Sequence, residues 1–167
     1  MSSKLVFYGN ETLKSVARKV DNIDGKVAEL VDTMFNIMYK ERGLGLAAPQ
    51  IDIGLRVITI DIDGHRDTPL SLINPVILET SDDTEPFEEG CLSLPGISAE
   101  LIRPSSVLVT GLDLNGKEVE IEASGLLARA FQHEVDHLNG VVFIDHLDDY
   151  LRRELRPQLK KIKRLNR

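Results

Sequence analysis

The chain has 167 residues, 42% of them apolar and 28% charged. That composition fits one globular domain, residues 1–167, and excludes collagen, disordered acidic chains and disulfide scaffolds. Met1–Lys4 does not begin an apolar leader, no apolar run is long enough to span a membrane, and the lone Cys91 has no intrachain partner. A cytoplasmic protein with no membrane contact is expected. The formal charge of -7 is uneven, because Arg152–Arg167 carries eight Lys/Arg and one Glu. The tail from about residue 150 is therefore basic on an acidic body, and no DNA partner is expected for the body.

In chain order, Val27, Leu30, Val31, Met34 and Met38 recur at helical spacing, with Asp24 as a cap and Gly43 as a stop. Arg56–Ile62 is rich in β-branched residues. Leu70–Ile73 and Val76–Leu78 read as strands on either side of a turn at Asn74-Pro75. Val107–Thr110 and Val119–Ile121 flank Asn115-Gly116, which suits a two-residue hairpin turn. A second helix is expected from Ser124, whose hydroxyl can cap it, with Leu126, Ala130, His133 and His137 along one face. Leu151, Leu155, Leu159, Ile162 and Leu165 form a third apolar stripe, which Pro157 is expected to kink or split. Strands in runs with separate helices point to an α+β fold.

The strongest local signal is His133-Glu134-Val135-Asp136-His137. Histidines four apart on a helix project from one face and can grip one ion. Glu134 is turned about 100° away, where it can reach a water on that ion. A catalytic site needs a third protein ligand and an open position. His65 lies in a polar turn and His146 in a charged segment, so both are expected on the surface. Cys91, in Glu89-Gly90-Cys91-Leu92-Ser93, is the better third ligand. A single cysteine also excludes zinc deaminases and closed structural zinc sites. Gly43–Gln50 is a weaker signal: small residues let a peptide backbone approach, and Gln50 offers an amide donor where charge develops.

Taken together, Gly43–Gln50, Glu89–Ser93 and Gln132–Gly140 resemble, in order and spacing, the three motifs of the bacterial peptide deformylase family. The resemblance implies an α+β fold with antiparallel sheets around a central metal-binding helix and a C-terminal helix. It implies removal of the formyl group from formyl-methionine at the start of nascent polypeptides. Carried over by position, Cys91, His133 and His137 are the ligands of one divalent ion, Fe²⁺ in cells by family precedent, with Zn²⁺, Ni²⁺ and Co²⁺ compatible with the same donors. Glu134 is the general base and acid, and Gln50 with the Leu92 N–H holds the oxyanion. Leu44, Phe87, Ala130 and part of His133 map to the methionine pocket, and Gly45 and Glu89 to the approach of the substrate backbone. Ser98 stands where some relatives carry a longer side chain. Arg129, where some relatives are apolar, suggests a more polar pocket rim. The basic tail is expected to reach the ribosome. The weighed alternatives are a metal-dependent peptidase built on the same His-Glu-x-x-His logic and a non-catalytic ribosome-binding module.

Overall fold

The computed structural model describes residues 3–166. Its element order is α1 (Gly25–Lys40), β1 (Gly45–Ala47), β2 (Val57–Ile60), β3 (Leu70–Thr80), β4 (Thr84–Gly90), β5 (Ser98–Pro104), β6 (Ser106–Leu112), β7 (Glu118–Ser124), α2 (Gly125–Leu138) and α3 (Asp149–Lys163). Strands β1, β2, β3, β6 and β7 form one antiparallel sheet in that order, and β4 pairs with β5 in a second. Helix α2 packs on the larger sheet through Ala128, Phe131, Val135 and Leu138, which share a core with Ile58, Ile60, Leu72 and Val109. The architecture is α+β.

Asp24 caps α1 as expected, accepting from the Lys26 and Val27 N–H groups. The helix buries Val27, Val31, Met34 and Met38. Its stop differs from the expected glycine: Arg42 takes the left-handed conformation at φ 59. The Arg42 N–H then reaches Tyr39 O and the Gly43 N–H reaches Met38 O, a Schellman ending. That turn places Leu44 just before β1, the edge strand of the large sheet, and delivers Gly45 directly into it.

Asn74-Pro75 is not a turn between two strands. β3 runs through it, with a register shift between Ile73 and Val76. Asn74 sits at φ 53 while its amide exchanges two hydrogen bonds, each 2.9 Å, with the Val20 backbone. The side chain thus imitates a neighbouring strand, and the one extra residue is absorbed as a bulge. Asn115-Gly116 does join β6 to β7, but only Gly116 has positive φ. Asp113 accepts from the Asn115 and Lys117 N–H groups, which makes the loop longer than a two-residue turn.

Ser124 occupies the N-cap of α2 without a side-chain capping bond. The C-terminal end is better held, because Arg56 Nη1 donates to the Leu138 carbonyl at 2.9 Å and places a cation where the helix dipole is negative. Pro157 neither splits nor ends α3. It lies on the exposed side, so the carbonyl deprived of a partner by the missing N–H faces water. Leu159 and Ile162 are buried and Leu155 packs beside them, whereas Leu151 and Leu165 are exposed, so the stripe docks only in its middle. Arg152, Arg153, Arg156, Lys160, Lys161, Lys163 and Arg164 all face outward. Met1, Ser2 and Arg167 lie outside the described residues.

Candidate metal centre

The Cys91, His133 and His137 side chains converge from the turn after β4 and from α2, and their ligand atoms all lie within 4.8 Å of one another. Cys91 Sγ is 3.3 Å from His137 Nε2. The two imidazoles meet edge to face with centroids 5.0 Å apart, as the one-turn spacing demands. His137 Nδ1 is buried with no hydrogen-bond partner among the described residues. His133 Nδ1 faces Glu89 Oε1 at 3.0 Å, which orients the ring and leaves Nε2 for the cluster. A thiolate and two imidazoles with a fourth side open to a cleft fit one catalytic transition-metal ion. Burial lowers the His137 pKa well below its usual value, which favours the neutral ring that a metal would need. Burial also pulls His133 down, but Glu134, Cys91 and Glu89 outweigh it and raise that group; this concentration of acidic groups suits a cation.

The cleft beside this cluster has a volume of about 1000 Å³ and is bordered by Leu44, Phe87, Leu126, Ala130, His133 and Glu134. Gly45, Gln50, Glu89, Cys91 and Leu92 reach the same cleft. Gln50 is fixed at both ends of its amide. Oε1 accepts from the Ala47 N–H at 2.9 Å, and Nε2 points to Ser93 Oγ at 3.2 Å and Cys91 Sγ at 3.5 Å. Glu134 is buried, its Oε1 has no partner among the described residues, and burial pushes its pKa up to about 7 against the opposing pull of His133.

Glycine at position 45 is required by this carboxylate. A Cβ there would stand 2.5 Å from Glu134 Oε2 and 3.1 Å from its Cδ. Gly45→Ala is therefore expected to displace Glu134 and lower kcat by roughly 10- to 100-fold, with metal content unchanged in a parallel metal assay.

Glu89 turns its carboxylate away from the opening, into a buried charge network. It accepts from Arg103 Nε and Nη2 at 2.5 and 3.0 Å and from Arg129 Nη1 at 2.7 Å. Arg103 Nη1 also bonds Asp136 at 2.9 Å, and Asp136 in turn meets His146 Nε2 at 2.9 Å. Burial would raise the Glu89 pKa, but His133 and Arg103 prevail and lower it. Only the backbone of Glu89 is left for the substrate approach. Arg129 borders the cleft, but its guanidinium is buried, donates to Leu101 O and Glu85 O, and lies under the Phe87 ring at 5.5 Å. Ser98 donates to Glu88 across β5 and β4 at 2.6 Å. His65 is exposed and His146 half-exposed. Glu89→Ala leaves two buried arginines without their shared counter-charge, and a cost of roughly 3–5 kcal/mol is expected. Thermal denaturation should show it as a fall in Tm of roughly 6–20 °C.

Arg103 was not legible as part of this site, because it needs the β4–β5 pairing to be known first, and the sequence shows Ser93 only as the end of its motif, not as a partner of Gln50. Leu126 could have been assigned to the pocket, since it lies four residues before Ala130 and seven before His133 on the same face.

An α+β scaffold presenting a Cys/His/His cluster and a buried, unpaired carboxylate at one cleft defines a single-metal hydrolase. The family model described as polypeptide deformylase matches residues 2–153. The peptide deformylase of Hydrogenovibrio crunogenus is 45% identical over 94% of this chain and 92% of its own, and that of Brachyspira hyodysenteriae is 44% identical over 98% and 90%. The crystal structure of a peptide deformylase from Legionella pneumophila superposes with a TM-score of 0.92 at 42% identity, covering 98% of this chain and 96% of that one. A plant peptide deformylase gives 0.92 at 40%, covering 96% and 88%. The chain belongs to the peptide deformylase family, enzymes that remove the formyl group from the N-termini of nascent polypeptides. Among the described residues no helix is long and apolar enough to cross a membrane.

Proposed function

We propose that this chain works in the cytoplasm as one catalytic domain in which Cys91, His133 and His137 hold a divalent ion, Fe²⁺ in the cell and replaceable by Zn²⁺, Ni²⁺ or Co²⁺. The observation that carries this reading is the convergence of the three ligand atoms, the unpaired Glu134 oxygen and the Gln50 amide on one cleft. When bound, the ion supplies Lewis acidity and lowers the pKa of a coordinated water from 15.7 toward about 7. Glu134 takes a proton from the attacking water as its oxygen bonds to the formyl carbon. The same carboxyl then gives that proton to the amine nitrogen as the C–N bond breaks, releasing formate and a free N-terminus. Gln50 Nε2 and the Leu92 N–H donate to the oxyanion between these steps.

The methionine side chain enters among Leu44, Phe87, Ala130 and the His133 ring. β1 is an edge strand, so the Gly45 backbone and that of Glu89 border a path on which an extended peptide pairs as an added strand. Turnover of formyl-Met-Ala-Ser by anaerobically iron-loaded enzyme, compared with unformylated peptides, tests the reading. Deformylation without peptide-bond cleavage supports it, and cleavage of the unformylated peptide replaces it with a peptidase.

The outward basic face of α3 is the proposed ribosome contact. Each phosphate it neutralises should steepen the fall of log K with log salt by roughly 0.7–0.9. Arg153→Glu with Lys160→Glu should weaken co-sedimentation with ribosomes at low salt while leaving turnover of a free formyl-peptide unchanged. Equal co-sedimentation would reduce α3 to a docked helix. Truncation after Leu159 is a poorer test, since it also deletes the buried Ile162.

A further inference from the structure

Gln50 and the Cys91–Ser93 turn come from distant parts of the chain, and residues 6–8 hold them together. An extended backbone points successive peptide groups to opposite sides. The Val6 N–H donates to Gln50 O at 2.8 Å and the Tyr8 N–H to Ser93 O at 2.9 Å, so one side of the segment bridges the two loops. Phe7 faces the other way and is gripped there by the amide of Asn166. Oδ1 accepts from the Phe7 N–H at 2.7 Å, and Nδ2 donates to Phe7 O at 2.9 Å and Tyr8 O at 3.0 Å. Asn166 is itself held by α3. Ile162 is buried, Lys163 Nζ lies over the Tyr8 ring at 5.5 Å, and the Lys163 stem fills the place where a Cβ on Gly9 would be. A side-chain amide supplies donor and acceptor in the fork this pairing needs, whereas a carboxylate supplies acceptors alone.

We infer that Asn166 is a positioning residue for deformylation: by fixing Phe7 and Tyr8 it sets the places of Gln50 and Leu92. This rests on the proposed role of those two groups as oxyanion donors. Such donors act most strongly in the transition state, so a small displacement lowers kcat with little change in KM.

The test is a double-mutant cycle on full-length, metal-loaded enzyme with formyl-Met-Ala-Ser, using Asn166→Ala, Gln50→Ala and the pair. Asn166→Ala should lower kcat by roughly 5- to 20-fold at unchanged KM and metal content. In the Gln50→Ala background the same change should cost at least about 2-fold less than in the parent, because one of the two positioned donors is already gone and only the Leu92 N–H remains to be displaced. Asn166→Asp keeps the acceptor for the Phe7 N–H but sets a carboxylate oxygen against the Phe7 and Tyr8 carbonyls, so it should lower kcat at least as much as alanine does, and it carries the cycle where Asn166→Ala does not fold. A folded Asn166→Ala enzyme with parental kcat overturns the inference, as does an equal loss in both backgrounds. Failure of the underlying reading has a separate signature, a fully active Gln50→Ala enzyme, and that also overturns the inference.

Discussion

Glu134→Gln is expected to keep its metal and lose turnover of a formyl-peptide by at least 100-fold. The substitution preserves shape and leaves Cys91, His133 and His137 intact, so only the ability to accept and return a proton is removed. General acid–base catalysis contributes about 10²–10⁴ in rate, and Glu134 Oε1 has no other partner among the described residues. Burial already pushes this carboxyl up to about 7, meaning that the site disfavours its charged form, and a neutral amide there should not lower Tm. Steady-state kinetics with metal analysis of the same preparation checks both halves. Near-parental kcat in a fully metallated variant would remove Glu134 from the chemistry.

Cys91→Ala should give the complementary result: the metal itself is lost and activity falls to background. Two histidines one turn apart remain, but the thiol that would close the proposed ligand set, 3.3 Å from His137 Nε2, is gone. Cys91 is only partly buried, so the fold should persist in far-UV circular dichroism. Metal content after dialysis decides the matter, and stoichiometric metal in the variant would move the third ligand elsewhere. The pair of substitutions separates holding the ion from moving the proton.

What could be read in the sequence was what short-range geometry enforces. His133 and His137 are one helical turn apart in any helix, and Asp24 caps α1 whatever surrounds it. The motifs at Gly43–Gln50 and Glu89–Ser93 signalled chemistry because small residues and a lone thiol are uncommon beside an incomplete ligand pair. Tertiary partners decided the rest. Asn74-Pro75 carries every local mark of a turn, yet pairing with Val20 makes it a bulge inside β3. Pro157 should break a helix, but it lies on the exposed side, where a carbonyl left without its N–H partner can turn to solvent. Arg129 reads as a polar rim, but its ion pair with Glu89 shows only in the fold. Arg103 and Asn166 belong to no pattern, since each acts on a residue far away in the chain.

The Phe7–Asn166 pairing joins positions 159 residues apart and ties the architecture of the cleft to the order of synthesis. At roughly 5–20 residues per second, the ribosome makes Asn166 on the order of ten seconds after Phe7. Once Ser93 has been made, Val6 and Tyr8 can find Gln50 and Ser93, but until residue 166 the opposite side of the segment has nothing to close on. Contacts of such separation form late and slow the final folding step. An enzyme that trims the beginnings of other growing chains therefore completes the wall of its own cleft only after residue 166 has been made.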